Sequence, residues 1–342
     1  MKVRAFLFLL LLQKNYLINS QDIFTISSQK QFEKIALKVF RYQHENNKVY
    51  REFCNFLNTD VQKVKSLEKI PFLPIQFFKS HDVVSNTEAI QETFTSSGTT
   101  GMITSKHLVT DISLYEQSYR LAFSEFYGNI EDYAVLALLP SYLERSGSSL
   151  IYMVKDLIEL SNNEHSGFYL HNYDELIAKL IELDSSGQNV ILIGVTYALL
   201  DLIEKQNFQL KNTIIMETGG MKGKRKEIIR EELHSILSKG FGVPSIHSEY
   251  GMTELLSQAY SLGNGIFECP TWMQILVRDT EDALTYVDFG KTGGVNVIDL
   301  ANINSCSFIA TQDLGKKYNN NSFEILGRFD NSDIRGCNLM VM

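Results

Sequence analysis

The chain has 342 residues, enough for about two ordinary domains or one large α/β unit. Hydrophobic residues make up 44% and charged residues 21%, which excludes a disordered or membrane-embedded chain. The formal net charge of −8 excludes a general nucleic-acid binder, which needs a basic face to displace counterions.

The chain opens on Met1-Lys2-Val3-Arg4 and an apolar run from Ala5 to Leu12. That run is far shorter than the ~20 residues a spanning helix needs, and no small-x-small cleavage site follows it. Residues 1–20 therefore read as an extension, from a misplaced start or a short extra helix. Residues 31–57 place Phe32, Ile35, Ala36, Val39 and Phe40 at helical spacing, and after "ENN" a second amphipathic piece carries Val49, Tyr50, Phe53 and Leu57. "IPFLPIQFFKSHDV" has two of the five prolines and predicts an irregular, extended connection.

Apolar runs and helices then alternate. "YAVLALLP" (133–140), "NVILIGVT" (189–196) and "NTIIMETGG" (212–220) predict buried strands. "SLIYMVKDLIEL" (149–160), "YALLDLIEKQ" and "KRKEIIREELHSILSKGFG" (224–242) predict helices, the last capped by Gly240. This is the pattern of an α/β fold with a mainly parallel sheet. "ILVRD", "LTYVDF", "GGVNVIDL" and "SCSFIAT" within 272–310 predict a more β-rich part.

Four stretches carry chemistry. "ETFTSSGTTGMITSKH" (92–107) combines Ser96, Ser97, Gly98, Thr99, Thr100 and Gly101 with Lys106. Glycines let backbone N–H groups approach a ligand, and hydroxyls and a cation suit a polyphosphate. It is not a Walker loop, because no Gly precedes the Lys as GxxxxGK[ST] requires. A solvated Ser/Thr loop is the plain alternative. In "HSEYGMTELLSQAY" (247–260), Tyr250, Gly251, Thr253 and Glu254 offer a stacking ring, a hydroxyl and a carboxylate for Mg2+. The plain alternative is a helix start with Thr253 as cap, itself a place where anions bind. "TQDLG" (311–315) puts Asp313 after a strand, beside a Gly turn, where it can accept from ribose hydroxyls or serve as an ordinary Asp turn. "GRFDNSDIRG" (327–336) puts Arg328 and Asp330 at a hinge or polar turn. His107 and His247 flank two of these stretches and can hydrogen-bond near a substrate carboxylate or be structural.

The four cysteines, Cys54, Cys269, Cys306 and Cys337, lie far apart with no CxxC pair. This argues against a zinc site or disulfide framework and fits a reducing, cytoplasmic compartment. Cys337 follows Arg335 and Gly336, a neighbouring cation and a mobile position that suit a reactive thiol, though a buried tail cysteine is the plainer reading.

The order of the four stretches resembles the adenylate-forming superfamily, over about residues 94–336. More narrowly, "SSGTTG…SKH", "LPSYLERSGSSLIYM", "ETGGMKGKRKEIIREELH", "SEYGMTELLSQAYS" and "DIRGCNLM" resemble acyl-protein synthetases of the LuxE type, relatives of phenylacetate–CoA ligases, from about residue 22 onward. The resemblance implies the large-domain fold of adenylate-forming enzymes, with stacked, mainly parallel sheets and a β-rich C-terminal part. It implies an adenylation domain over 21–330 and a tail over 331–342. It implies activation of a fatty acid by ATP and Mg2+ as acyl-AMP, then transfer to Cys337 and onward to a reductase or acyl-carrier protein.

Residue by residue, it implies that Ser96–Gly101 and Lys106 grip phosphates and that Gly219 and Gly220 line the adenine. Tyr250, with Gly251, lies against that ring. Thr253 touches the α-phosphate, Glu254 binds Mg2+, Asp313 holds the ribose and Arg328 supports it. The chain stops six residues after Gly336, where typical adenylating ligases continue into a small lid domain; the LuxE type shares this shortness. An acyl-CoA ligase and a non-catalytic nucleotide-binding module are the alternatives. Neither would form a thioester on Cys337.

Overall fold

The computed structural model describes residues 18–96, 104–140, 146–219, 225 and 228–329. The first helices are α1 (Ser20–Phe24), α2 (Gln29–Asn46) and α3 (Lys48–Phe56). Asn47 ends α2 and caps α3, its side chain accepting from Tyr50 N at 3.0 Å, so the "ENN" break is a cap. The proline-rich connection carries a short β1 (Leu73–Pro74) and the single turn α4 (Phe77–Ser80). β2 (Glu92–Thr95) and β3 (Lys106–Val109) form an antiparallel ribbon, followed by α5 (Ile112–Tyr127).

The α/β part contains β4 (Tyr133–Leu138), α6 (Ser149–Leu160), β5 (Gly167–Tyr169), α7 (Tyr173–Ser186), β6 (Asn189–Val195), α8 (Thr196–Lys205), β7 (Thr213–Thr218), α9 (Arg230–Phe241), β8 (His247–Tyr250) and β9 (Ala259–Ser261). Its six strands run β5-β4-β6-β7-β8-β9, parallel except for β9. β4 and β6 are almost wholly buried, which is why they read as unbroken apolar runs. One face packs Val135, Ile191, Ile193 and Met216 against Phe123 of α5 and Met153, Val154 and Leu157 of α6. On the other face, Arg230 and His234 of α9 reach Glu217 of β7.

The β-rich part contains β10 (Met273–Arg278), β11 (Thr292–Asp299), β12 (Phe308–Lys317) and β13 (Phe323–Arg328). β1 joins this sheet parallel to β12, and β10, β11, β12 and β13 pair antiparallel. Parallel and antiparallel sheets packed with helices agree with the expected fold class.

Three expectations are corrected. Gly240 does not cap α9: it lies inside the helix, where an added Cβ would meet Ile203 at 2.7 Å, and Gly242 takes the left-handed cap at φ 68°. "LTYVDF" forms no strand; Tyr286 makes one isolated bridge to Arg278. "TQDLG" is not a turn but the middle of β12, with a bulge between Leu314 and Gly315. No helix among the described residues is long and apolar enough to cross a membrane.

Candidate active site

The two sheets meet at β8 and β12. Tyr250, the last residue of β8, donates from its hydroxyl to Asp313 Oδ2 at 2.8 Å. Directly across the β12–β13 ladder, Arg328 Nε donates to Asp313 Oδ1 at 3.0 Å. The strand register thus puts a phenol and a guanidinium on the two oxygens of one buried carboxyl. The Tyr250 ring is buried, with Phe267 and Phe323 packed on it edgewise at 6.0 and 5.8 Å. The Arg328 side chain remains 74% exposed, so this polar pair opens to solvent at one end.

Residues 251–258 follow β8 as a turn, not as the helix start that Thr253 would cap. The C-terminal end of β11 holds this turn from below. Asp299 accepts from Leu256 N at 2.7 Å, Ser257 N at 3.0 Å, Ser257 Oγ at 2.6 Å and Ala301 N at 3.2 Å. Burial still pushes the Asp299 carboxyl up to about 6. Three residues on, Asn302 donates from Nδ2 to Glu254 O at 2.8 Å and Cys306 O at 3.0 Å. That leaves Asn302 Oδ1 for His107 Nε2 at 3.0 Å, while His107 Nδ1 lies 2.9 Å from Thr253 O. Both partners of the ring are oxygens, and a neutral imidazole has a single N–H, so it donates to one of them at a time. Burial lowers His107 to about 4 and favours that neutral form. His107 is thus a support beneath Thr253. His247 lies elsewhere, 3.3 Å from the Tyr127 hydroxyl.

Glu254 is 5% exposed and has no ion-pair partner among the described residues. Desolvation raises its carboxyl, against Ser105 and the more distant Arg328 and Lys79. A buried acid without a counter-charge suits a hard cation. No group of three or more His, Cys, Asp or Glu side chains placed to hold a metal ion occurs among the described residues. At the base of the hydroxyl-rich loop, Ser96 N donates to Ser105 O at 3.1 Å and Ser105 N to Ser96 Oγ at 2.8 Å. Lys106 is exposed on β3, opposite Thr95. Gly219 takes φ 69° just after β7, and its carbonyl accepts from Thr196 Oγ1 at 3.1 Å. Ser97, Gly98, Thr99, Thr100, Gly101, Gly220, Asp330 and Cys337 lie outside the described residues.

Sequence reasoning missed Asp299 and Asn302, whose only signal was a polar pair ending an apolar strand. It also missed Glu249 and Glu217. Glu249 accepts from Thr218 Oγ1 at 2.5 Å on one side of the parallel sheet, and Glu217 accepts from Arg230 Nη1 at 2.6 Å on the other. Their signal was an acid inside a buried strand.

Solved structures confirm the fold. A 2-hydroxyisobutyryl-CoA ligase in complex with 2-HIB-AMP and CoA superposes with TM-score 0.64 at 14% identity, over 88% of this chain and 70% of that one. ATP-bound MatB from Rhodopseudomonas palustris gives TM-score 0.52 at 17% identity, over 72% of this chain and 49% of that one, so the chain matches about half of MatB's length. In sequence, it is 24% identical over 343 residues to the long-chain-fatty-acid–luciferin-component ligase of Vibrio harveyi, covering 92% of this chain and 88% of that one. A protein of the same description from Photorhabdus luminescens is 32% identical over 71 residues, 20% of this chain and 60% of that one. The profile of one family matches residues 12–342, ten residues further toward the N-terminus than the motifs alone suggested. With these motifs in this order on this fold, the chain belongs to the acyl-protein synthetase family, LuxE.

Proposed function

We propose that the protein is a ligase that activates a long-chain fatty acid with ATP as acyl-AMP and transfers the acyl group to a protein thiol, first that of Cys337. The observation that carries this reading is the joining of Tyr250, Asp313 and Arg328 across two sheets, with Thr253 and Glu254 held on the turn beside them. Membership of the LuxE family and the fatty-acid ligases among its relatives support the substrate class.

In this reading Asp313 takes the ribose hydroxyls on its free lone pairs, with Arg328 and Tyr250 fixing its plane. Tyr250 and Gly251 border the adenine, with Gly219 and Gly220 opposite. Ser96, Ser97, Gly98, Thr99, Thr100, Gly101 and Lys106 hold the phosphates, and Thr253 touches the α-phosphate. Glu254 would hold Mg2+, which offsets phosphate charge as pyrophosphate departs. A carboxylate oxygen of the acid attacks the α-phosphorus in line, and the bond to the bridging oxygen of pyrophosphate breaks. The deprotonated thiol of Cys337 then attacks the acyl carbonyl, forming a thioester and releasing AMP.

The acyl chain belongs in the apolar space between α5, α6 and the parallel sheet, lined by Phe123, Met153, Leu157, Ile193, Met216 and Tyr260. That space is about 20 Å³, room for about one water molecule, so its two flexible methionines must repack to admit a chain. The onward acceptor is an acyl reductase or carrier protein. A cytoplasmic setting agrees with the free thiols of Cys54, Cys269 and Cys306.

The test is an intact-protein mass spectrum after incubation with MgATP and fatty acids, on wild type and Cys337→Ser. An acyl adduct on wild type, released by hydroxylamine and missing from the variant, is expected. Pyrophosphate release without an adduct would move the acceptor to CoA or another protein. No pyrophosphate and no adduct would leave a nucleotide-binding module.

A further inference from the structure

Consecutive residues of β8 point to opposite sides of the sheet. Tyr250 turns toward Asp313, and Glu249 turns toward α5. Glu249 Oε2 accepts from Thr218 Oγ1 at 2.5 Å. Its Oε1 lies beside Gly251, close enough that a Cβ on that glycine would overlap it. The same Cβ would be 3.3 Å from Gln258 Cγ. Gln258 is 3% exposed, and its Oε1 is a buried acceptor with no hydrogen-bond partner. Glu249 also stands in register with Tyr260, and Thr218 is two residues beyond Met216 on the same face of β7. Tyr260 and Met216 line the apolar space assigned above to the acyl chain. Thr218, Glu249 and Gln258 therefore form a polar cluster, called the neck below, between the YGMTE turn and two of the residues that line that space.

The surroundings of Glu249 offer it no cation among the described residues. β7 contributes Thr218 and, from the opposite face, the carboxylate of Glu217. β9 contributes Tyr260, and α5 contributes Tyr115 and Tyr127. His247, two residues earlier on β8, is engaged with Tyr127. Burial raises the Glu249 carboxyl to about 7, Thr218 opposes the rise, and Glu217 adds to it.

We propose that Glu249 binds the carboxylate of the fatty acid by presenting a hydroxyl from Oε1, seating that carboxylate at the neck with its alkyl chain in the apolar space. The assignment rests on the function proposed above. Two carboxyl groups this close cannot both ionise, and one shared proton turns their repulsion into a charge-assisted hydrogen bond. The proton stays with Glu249 throughout. The other oxygen of the acid attacks the α-phosphorus, and pyrophosphate leaves as before. Once Glu249 ionises, the neck repels the substrate and binding weakens.

The experiment measures KM for octanoate and for ATP by acid-dependent pyrophosphate exchange from about pH 6 to about pH 8.5, on wild type, Glu249→Gln and Glu249→Leu. Above a carboxyl that ionises near 7, only the protonated fraction is competent, so wild-type KM for octanoate should rise about thirtyfold by about pH 8.5. KM for ATP should not move with it. Glu249→Gln keeps a donor without a charge, so its KM for octanoate should stay low and flat. Glu249→Leu should be flat and high; if it fails to fold, the Gln variant and wild type decide alone. A flat wild-type profile, the same rise in Glu249→Gln, or a parallel rise in KM for ATP would overturn the assignment. Absence of exchange with any acid at any pH would instead overturn the function on which it rests.

Discussion

The two faces of the parallel sheet each carry a glutamate, Glu217 buried and Glu249 half-buried, and the two are set up in opposite ways. On the α9 face, Glu217 of β7 is paired with Arg230 at 2.6 Å and lies 3.5 Å from His234. Burial would raise its carboxyl, but His234, Arg230 and Ser248 outweigh that and hold it below the usual range. On the α5 face, Glu249 of the neighbouring strand has, among the described residues, one hydroxyl partner, three tyrosines around it and no cation. The same residue type, one strand apart, is an anion on one side and a proton carrier near neutrality on the other. Environments that push two acids apart commonly mark where chemistry divides its roles. Here the ionised glutamate braces the sheet against a helix, and the protonated one faces the proposed substrate channel.

The largest break in this contrast comes from removing the cation. Arg230→Ala leaves the Glu217 carboxylate buried with, among the described residues, His234 and hydroxyls. Breaking a buried pair from one side costs about 3–5 kcal/mol, so the urea midpoint should fall markedly at neutral pH. The loss should shrink in acid, where Glu217 can take up a proton. An equal loss at pH about 4 and pH about 7 would show that packing of the Arg230 guanidinium, over the Phe267 ring at 5.0 Å, carries the effect instead.

How much of this was visible beforehand follows from which residues advertise themselves. β4, β6 and β7 were legible because parallel strands bury both faces and read as apolar runs. The α2–α3 break was legible because Asn47 is a cap with a side-chain acceptor. The second half of β12 was not, although "SCSFIAT" marked its start, because Gln312 and Asp313 are polar residues in a strand whose alternation only the partner strands reveal. The cap of α9 was misplaced because "GFG" offers two glycines. Only packing shows that Gly240 is needed for contact with Ile203 and Gly242 for its φ of 68°. At the site, the motifs announced Tyr250, Glu254, Asp313 and Arg328 by their order. Asp299 and Asn302, which hold the motif from beneath, come from a strand end more than forty residues away and carry no local signature.

A second test sharpens the contrast without any ligand. The Glu249 carboxyl is about 7 in the folded protein, above the ordinary glutamate value it regains on unfolding. A raised acid binds its proton more tightly in the folded state, so its stabilising contribution is complete below about pH 4. It is lost as pH rises toward about 7. Glu249→Gln should remove up to roughly 3 kcal/mol of that decline between those limits, measured by urea unfolding across pH. Asp299, raised to about 6, contributes a decline of the same sign that the variant retains, so the slope should be reduced rather than abolished. An unchanged slope would mean that Glu249 is ionised in the folded state throughout.

The smallest effect is expected at Gly251, and it asks whether the neck is built around the position of Glu249 Oε1. Gly251 has no left-handed φ to defend, so alanine there is not strained by the backbone. Its methyl would instead overlap Glu249 Oε1 and come to 3.3 Å from Gln258 Cγ. The first obstacle is the end of a flexible side chain, which can swing away at the expense of its hydrogen bond from Thr218. The stability loss should therefore be about 1 kcal/mol, the net worth of one hydrogen bond. The consequence for binding should be larger than for folding, because the displaced carboxyl no longer faces the neck. Gly251→Ala should raise KM for octanoate at low pH by more than it raises KM for ATP, because the added methyl meets Glu249 and Gln258 and not the Tyr250–Asp313 contact. A rise confined to KM for ATP would leave Gly251 with its place at the adenine alone and detach it from Glu249.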